Sequence, residues 1–272
     1  MHLARLFGVF GTLVIAAAAQ QPASQRPAAQ PPAAAPAGVA GSGKPAPAEF
    51  PYVAAPVPVA APRVGTYNYK AKLKNRDGDT DVQITASVEE APEAWKILDT
   101  VVTVAGKTTI DTLLDRRTLT VRRSYMHRSG MNVIMDFKDG KVEGQYASRA
   151  GAHRIHGETQ PLLAATAANG YVAGCLPLAE GYHASYSGFD SINQRQTFVE
   201  LKVQGSERVT GPAGTFDTYR VEEVFSDSPQ QAKENRQKTT LWVDKGTRIP
   251  VKVETVMGSE PGAMRLTSEL VP

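Results

Sequence analysis

The sequence predicts a mainly β fold: a curved antiparallel sheet or half-barrel with one or two short helices, preceded by a signal peptide and a disordered linker. Three observations predict it. From Thr66 onward apolar and polar residues alternate with period two, as they do in strands with one dry and one wet face. Turn-forming clusters such as Asn75-Arg76-Asp77-Gly78-Asp79 and Lys138-Asp139-Gly140 punctuate the alternating runs. Ahead of the alternation the chain opens on an apolar run and an Ala/Pro-rich stretch, neither of which resembles part of a packed domain.

Arg5 and the initiator amine form a short positive start, Leu6 to Ala19 is apolar, and Ala17-Ala18-Ala19 supplies the small side chains a signal peptidase needs. Residues 1–19 are therefore expected to be a signal peptide. The apolar run falls short of the roughly 20 residues that span a bilayer. No Cys follows it, so a lipid-attachment site is not expected. Residues 20–63 are dominated by Ala, Pro and Gln and are expected to be an extended, disordered linker. Within it Gly38-Val39-Ala40-Gly41-Ser42-Gly43-Lys44 has the spacing of a phosphate-binding loop. Pro45 stands where Ser or Thr should hold magnesium, and no strand precedes the segment. The match is a compositional accident.

Residues 64–272 remain as one β-rich domain, about 200 residues, a normal size for a single fold. Tyr67, Tyr69, Ala71 and Leu73 alternate with Asn68, Lys70, Lys72 and Lys74. Val82, Ile84, Ala86 and Val88 alternate with Gln83, Thr85 and Ser87. The two runs predict a hairpin around the Asn75–Asp79 turn. Further strands are expected over 97–105, 118–127, 133–137, 141–147, 199–203, 241–243, 251–253 and 265–271. Gln160 to Ala173, rich in Ala and Leu with Pro161 at a plausible first helical position, is expected to be helical. Ser228 to Arg236 is a second helix candidate, equally readable as a loop.

The chemistry expected of the domain is sparse. The net charge of the 272-residue chain is +3, with both signs interspersed, which argues against nucleic acid as a partner. The single cysteine, Cys175, sits in an apolar stretch, excludes an internal disulfide and reads as an inert buried thiol. Asp77-Gly78-Asp79-Thr80-Asp81 begins like a calcium loop, but Val82 and Val88 occupy the places where such a loop needs Gly and Glu. His153, His156 and Glu158 form the first candidate for a metal site, although the histidines are spaced by three, and the segment reads as an exposed loop. No Gly-x-Ser-x-Gly elbow is present. No second apolar run is long enough to be an integral membrane segment, and no cofactor is expected.

The most specific text is Gly214-Thr215-Phe216-Asp217-Thr218-Tyr219-Arg220-Val221, followed by Leu241-Trp242-Val243-Asp244-Lys245-Gly246-Thr247-Arg248-Ile249-Pro250-Val251-Lys252-Val253-Glu254. It resembles an uncharacterised family of bacterial envelope domains, distantly similar to the LolA/LolB lipoprotein carriers, which are curved antiparallel sheets with a covering helix. The resemblance implies a concave sheet face able to hold an apolar ligand, with Tyr67, Tyr69, Phe216, Tyr219 and Trp242 as its lining. It carries no catalytic residues to this chain. The expectation is an exported, periplasmic or secreted non-enzymatic protein whose partner is an apolar envelope ligand or an envelope protein. The alternatives are a hydrolase assembled from sequence-distant residues, with His153, His156 or His183 meeting Cys175, a serine or a carboxylate in a pocket, and an assembly module acting by strand pairing.

Overall fold

The chain was studied as a computed structural model, which describes residues 52–76, 78–164, 168–190, 194–227, 237–258 and 262–272. The expected signal peptide, most of the expected linker, Asp77 and the whole of the second helix candidate lie outside the described residues. The described chain is one antiparallel sheet. Its first meander comprises β1 (Gly65–Asn75), β2 (Gly78–Ala91), β3 (Ala94–Thr103), β4 (Gly106–Asp115), β5 (Val121–Arg128), β6 (Met131–Lys138), β7 (Lys141–Ser148) and β8 (Gly151–Glu158). A crossover carrying the helix α1 (Asn169–Gly174) leads to the second meander: β9 (His183–Asp190), β10 (Arg195–Gly211), β11 (Gly214–Ser226), β12 (Gln237–Asp244), β13 (Pro250–Met257) and β14 (Met264–Val271). The strand order is β8-β7-β6-β5-β4-β3-β2-β1-β14-β13-β12-β11-β10-β9. The first and last strands thus meet in the middle of the sheet, and the crossover joins its two edges.

The alternation places the core. Tyr69, Ala71 and Leu73 of β1 are buried while Asn68, Lys70, Lys72 and Lys74 are exposed, and Val82, Ala86 and Val88 of β2 continue the dry face. The β6–β7 hairpin turns at Asp139 and Gly140, both at positive φ (51° and 74°), the backbone that tight two-residue hairpins demand. A sheet of this many twisted strands curls rather than stays flat. Here the curl brings the edges toward one another. Leu162 pairs with Ser187 of β9 and Leu163 with Thr120. The Leu163 amide donates to the Ser187 carbonyl (3.1 Å) and the Val121 amide to the Leu162 carbonyl (2.8 Å). Residues 162–163 thereby stitch β9 to the start of β5. Beyond the stitch, β5 to β8 form a lobe with its own small core of Val133, Met135, Val142 and Ile155. Phe137 of this lobe meets Phe189 of β9 edge to face at 5.5 Å.

Four expectations are corrected. The helix expected over 160–173 is only the six residues Asn169–Gly174. Leu162 and Leu163 instead bond to strands on either side, and buried strand contacts override helix propensity there. The segment His153–Glu158, expected as a loop, is most of strand β8. The strand expected from Thr118 starts at Val121, because the Asp115 carboxylate accepts the Arg117 and Thr118 amides (2.8 and 2.9 Å) and holds a turn. Lastly, the end of the expected linker is docked. The Val59 and Ala60 amides donate to the Cys175 carbonyl (2.8 and 3.2 Å), and the Val53 amide to Gln160 Oε1 (2.8 Å).

Candidate functional site

The inside of the curl is filled mainly around α1. Tyr171, Val172, Leu176 and Leu178 pack against Val199, Leu201, Val221, Leu241 and Val243 of the second meander. Two glycines allow the close approach. A Cβ on Gly174 would lie 2.0 Å from the Arg248 carbonyl oxygen, and one on Gly170 2.9 Å from Pro250 Cγ. A smaller cluster of Ala71, Leu73, Val82, Val101 and Leu266 fills part of the first meander. At the junction of the two clusters lies a cavity of about 130 Å³. Val101, Leu241, Val253 and Leu266 are among its apolar walls, with Tyr69, Asp99 and Tyr171 at its polar end.

Asp99 stands on the dry face of β3, between Ile97 and Val101, and is only 9% exposed. Its Oδ2 accepts the Ala168 amide at 2.9 Å. Ala168 flanks the start of α1 in the left-handed region (φ 63°), so the carboxylate anchors a strained residue at the helix entrance. Burial pushes the carboxyl up to about 6, and the Ala168 hydrogen bond only partly offsets this. The Tyr69 hydroxyl donates to the Pro250 carbonyl (2.9 Å) and lies 3.0 Å from the Tyr171 hydroxyl. Because Tyr69 has one proton, committed to Pro250, Tyr171 is the donor between the two. Both phenols are raised by burial. The Tyr67 ring stacks on Tyr171 at 5.6 Å.

A second buried carboxylate supports α1 from the other meander. Glu223 of β11 is fully buried. It accepts hydrogen bonds from the Tyr186 hydroxyl (2.7 Å) and from the Asn169 side-chain amide, tying β9, β11 and the helix together. Tyr186 also reaches Asn169 Oδ1 at 3.2 Å. Burial dominates over these bonds and raises the Glu223 carboxyl to about 7.

The residues expected to line a ligand site are distributed unevenly. Tyr69 lines the cavity, and Tyr67 supports it through Tyr171. Trp242 faces away from the interior, opposite Leu241 and Val243. Its ring lies beneath Lys252 (5.1 Å), and its indole N–H donates to Glu207. Tyr219 packs half-buried on the core under Lys245 (4.9 Å) and Arg248 (5.8 Å), while Phe216 sits half-buried near the tip of the β10–β11 hairpin. Neither lines the cavity. His153, His156 and Glu158 do not converge. His153 stacks on Tyr146 at 4.9 Å, whereas strand alternation turns His156 to the opposite face, across from Glu143. Among the described residues no three His, Cys, Asp or Glu side chains gather as a metal site would require. Cys175 donates to the Tyr171 carbonyl (3.2 Å), and burial pushes its thiol up to about 12.

Asp99, Glu223, Asn169, Tyr171 and Tyr186 were not among the expected site residues. The two acids did leave a trace: Ile97-x-Asp99-x-Val101 and Val221-x-Glu223-x-Phe225 each put a carboxylate in the apolar phase of a strand.

Residues 66–267 match the model of a family described as a protein of unknown function, DUF3108. No curated protein matches the chain. Among solved structures, the chain is similar to a β-barrel-like protein of the domain of unknown function DUF1849 from Brucella abortus, with 11% identity, 78% of this chain and 98% of that chain covered, and a TM-score of 0.48. It is also similar to the hypothetical lipoprotein YmcC from Escherichia coli, with 10% identity, 76% and 84% covered, and a TM-score of 0.31. A DUF1329 family protein from Desulfovibrio piger matches with 9% identity, 75% and 82% covered, and a TM-score of 0.27.

Proposed function

The chain belongs to the DUF3108 family, and on that footing we propose that it is an exported, non-enzymatic envelope protein that holds an apolar group of a ligand inside its curved sheet. The observation that carries the reading is the cavity of about 130 Å³ between α1 and the two meanders. An apolar cavity of nearly this size, roughly 150 Å³, accepts a benzene molecule. The resemblance to lipoprotein carriers implies an apolar ligand, and the cavity narrows that implication. It suits a compact apolar terminus rather than the full length of a lipid chain. Export rests on the pattern of residues 1–19. Among the described residues no helix is long and apolar enough to cross a membrane.

The hydrolase alternative needed a pocket in which His153, His156 or His183 meets Cys175, a serine or a carboxylate, and none of the three lines the cavity. His153 and His156 are on β8, His183 is exposed at the start of β9, and the charged group acting on the Cys175 thiol is Arg248. Strand pairing would be confined to one edge, since residues 162–163 occupy part of β9 while β8 ends the sheet.

The test is a benzene titration of the full chain, followed by the methyl resonances of Val101, Val253 and Leu266. Saturable shifts confined to these methyls, abolished by Val253→Phe, support the reading. Shifts confined to the exposed apolar residues Tyr52, Val57 and Val59, or no saturation, overturn it.

A further inference from the structure

Resting on the reading of the cavity as a ligand site, we propose that its ligand presents a hydrogen-bond donor, preferably an ammonium group, to Asp99, and that carboxylate- and phosphate-headed molecules are rejected. At the polar end of the cavity Tyr69, Tyr171 and Asp99 present acceptors, and the side-chain amide of Asn169, which also lines the wall, donates to Glu223. The Tyr69 proton is committed to the Pro250 carbonyl and the Tyr171 proton to Tyr69, so neither phenol has a proton left for a ligand. Asp99 uses Oδ2 for the Ala168 amide, and no protein hydrogen bond to Oδ1 is present among the described residues. Among the described residues, Asp99 is also the one charged side chain in the cavity wall, where no Lys, Arg or His accompanies it. Thr239 and Thr255 bond to each other at 3.0 Å, and with Ser268 they supply hydroxyls that can turn either way but carry no charge.

The energetics follow from the walls. An anionic head would be stripped of water next to a carboxylate with no counter-cation, which is strongly unfavourable in an apolar site. An ammonium head would give the buried carboxylate the partner it lacks, through a charge-assisted hydrogen bond. An alcohol meets the same geometry without the charge and ranks between the two.

Butylamine, butanol and butyrate share a short apolar chain within the cavity's reach, and binding of each to the full chain is measured at pH 8. The expected order is amine, alcohol, carboxylate, with the amine favoured over the alcohol by about tenfold, as charge assistance implies. Asp99→Asn keeps an acceptor for Ala168 and should bring the amine-to-alcohol ratio to about one. Should that variant not fold, acidification of the wild type answers the same question. The titratable groups facing Asp99 are Tyr69 on β1 and Tyr171 on α1, both raised by burial, while β2 and β4 place Ala86 and Ile110 beside it. The amine preference should therefore fall between pH 8 and pH 5, as the Asp99 carboxyl, raised to about 6, takes up a proton. Benzene binding with equal affinities for amine and alcohol, or tighter binding of butyrate, overturns this inference and leaves the cavity reading intact. Failure of benzene and amine alike overturns both.

Discussion

Glu223→Gln should stabilise the protein at alkaline pH and do little in acid. Glu223 is fully buried and meets only neutral donors, the Tyr186 hydroxyl and the Asn169 amide. Its carboxyl is raised from 4.5 to about 7. Between those values the folded chain keeps a proton that the unfolded chain has released, so stability is present below pH 4.5 and declines as pH rises toward 7. At about 1.4 kcal/mol per pH unit, that span corresponds to about 3 kcal/mol lost by pH 8. An amide escapes this loss because it never ionises. It also fits the network. The new N–H can donate to the Tyr186 oxygen, Tyr186 can donate to Asn169 Oδ1, already 3.2 Å away, and Asn169 can donate to the new carbonyl. Urea denaturation of wild type and variant at pH 4 and pH 8 measures the difference. The expected gain is about 3 kcal/mol at pH 8 and a few tenths at pH 4. Asp99 shifts stability in the same direction in both proteins and cancels from the comparison. A difference that does not change with pH, or a variant less stable than wild type at pH 8, would mean that burial does not hold a proton on Glu223.

Further outcomes follow from other parts of the molecule. Gly174→Ala drives a methyl into the Arg248 carbonyl and should cost about 2–3 kcal/mol, seen as a lower urea midpoint. Gly181→Ala, with no atom in the way but φ at 76°, should cost about 1 kcal/mol. Cys175, buried and with its thiol raised to about 12, should resist iodoacetamide at pH 8 until the protein is unfolded; rapid labelling of the native chain would contradict its placement. Trp242→Ala, on the outer face beneath Lys252, should leave benzene binding unchanged, whereas loss of binding would return Trp242 to the ligand site.

How far the sequence foretells the structure depends on whether a strand has one dry face. β1 and β2 do, and their hairpin is legible residue by residue: Tyr69, Ala71 and Leu73 inside, the lysines outside. β8 does not. Only Ile155 of its residues is buried, so no period-two signal marks His153–Glu158 as a strand. Gln160–Ala164 misleads for the opposite reason. Its Ala- and Leu-rich text suits a helix, but Leu162 and Leu163 are buried between β9 and the start of β5, a placement only the curled sheet creates. The cavity lining was legible at Tyr69, through the alternation that turns it inward. Trp242 sits in the opposite phase from Leu241 and Val243, so its outward placement was already implied by the strand. Asp99 and Glu223 are visible as acids in apolar phases, but their meaning depends on α1, which brings Ala168 and Asn169 to them across long stretches of chain.

On the proposed function, the cavity beside Asp99 and Tyr171 holds the apolar end of a natural ligand. Protein purified from its native envelope without detergent, denatured and analysed by mass spectrometry for released small molecules, tests it most directly. Wild type should release a species with a short apolar terminus and an amine or hydroxyl group, which Val253→Phe should lack. Release of nothing, or of the same species from both proteins, would contradict it.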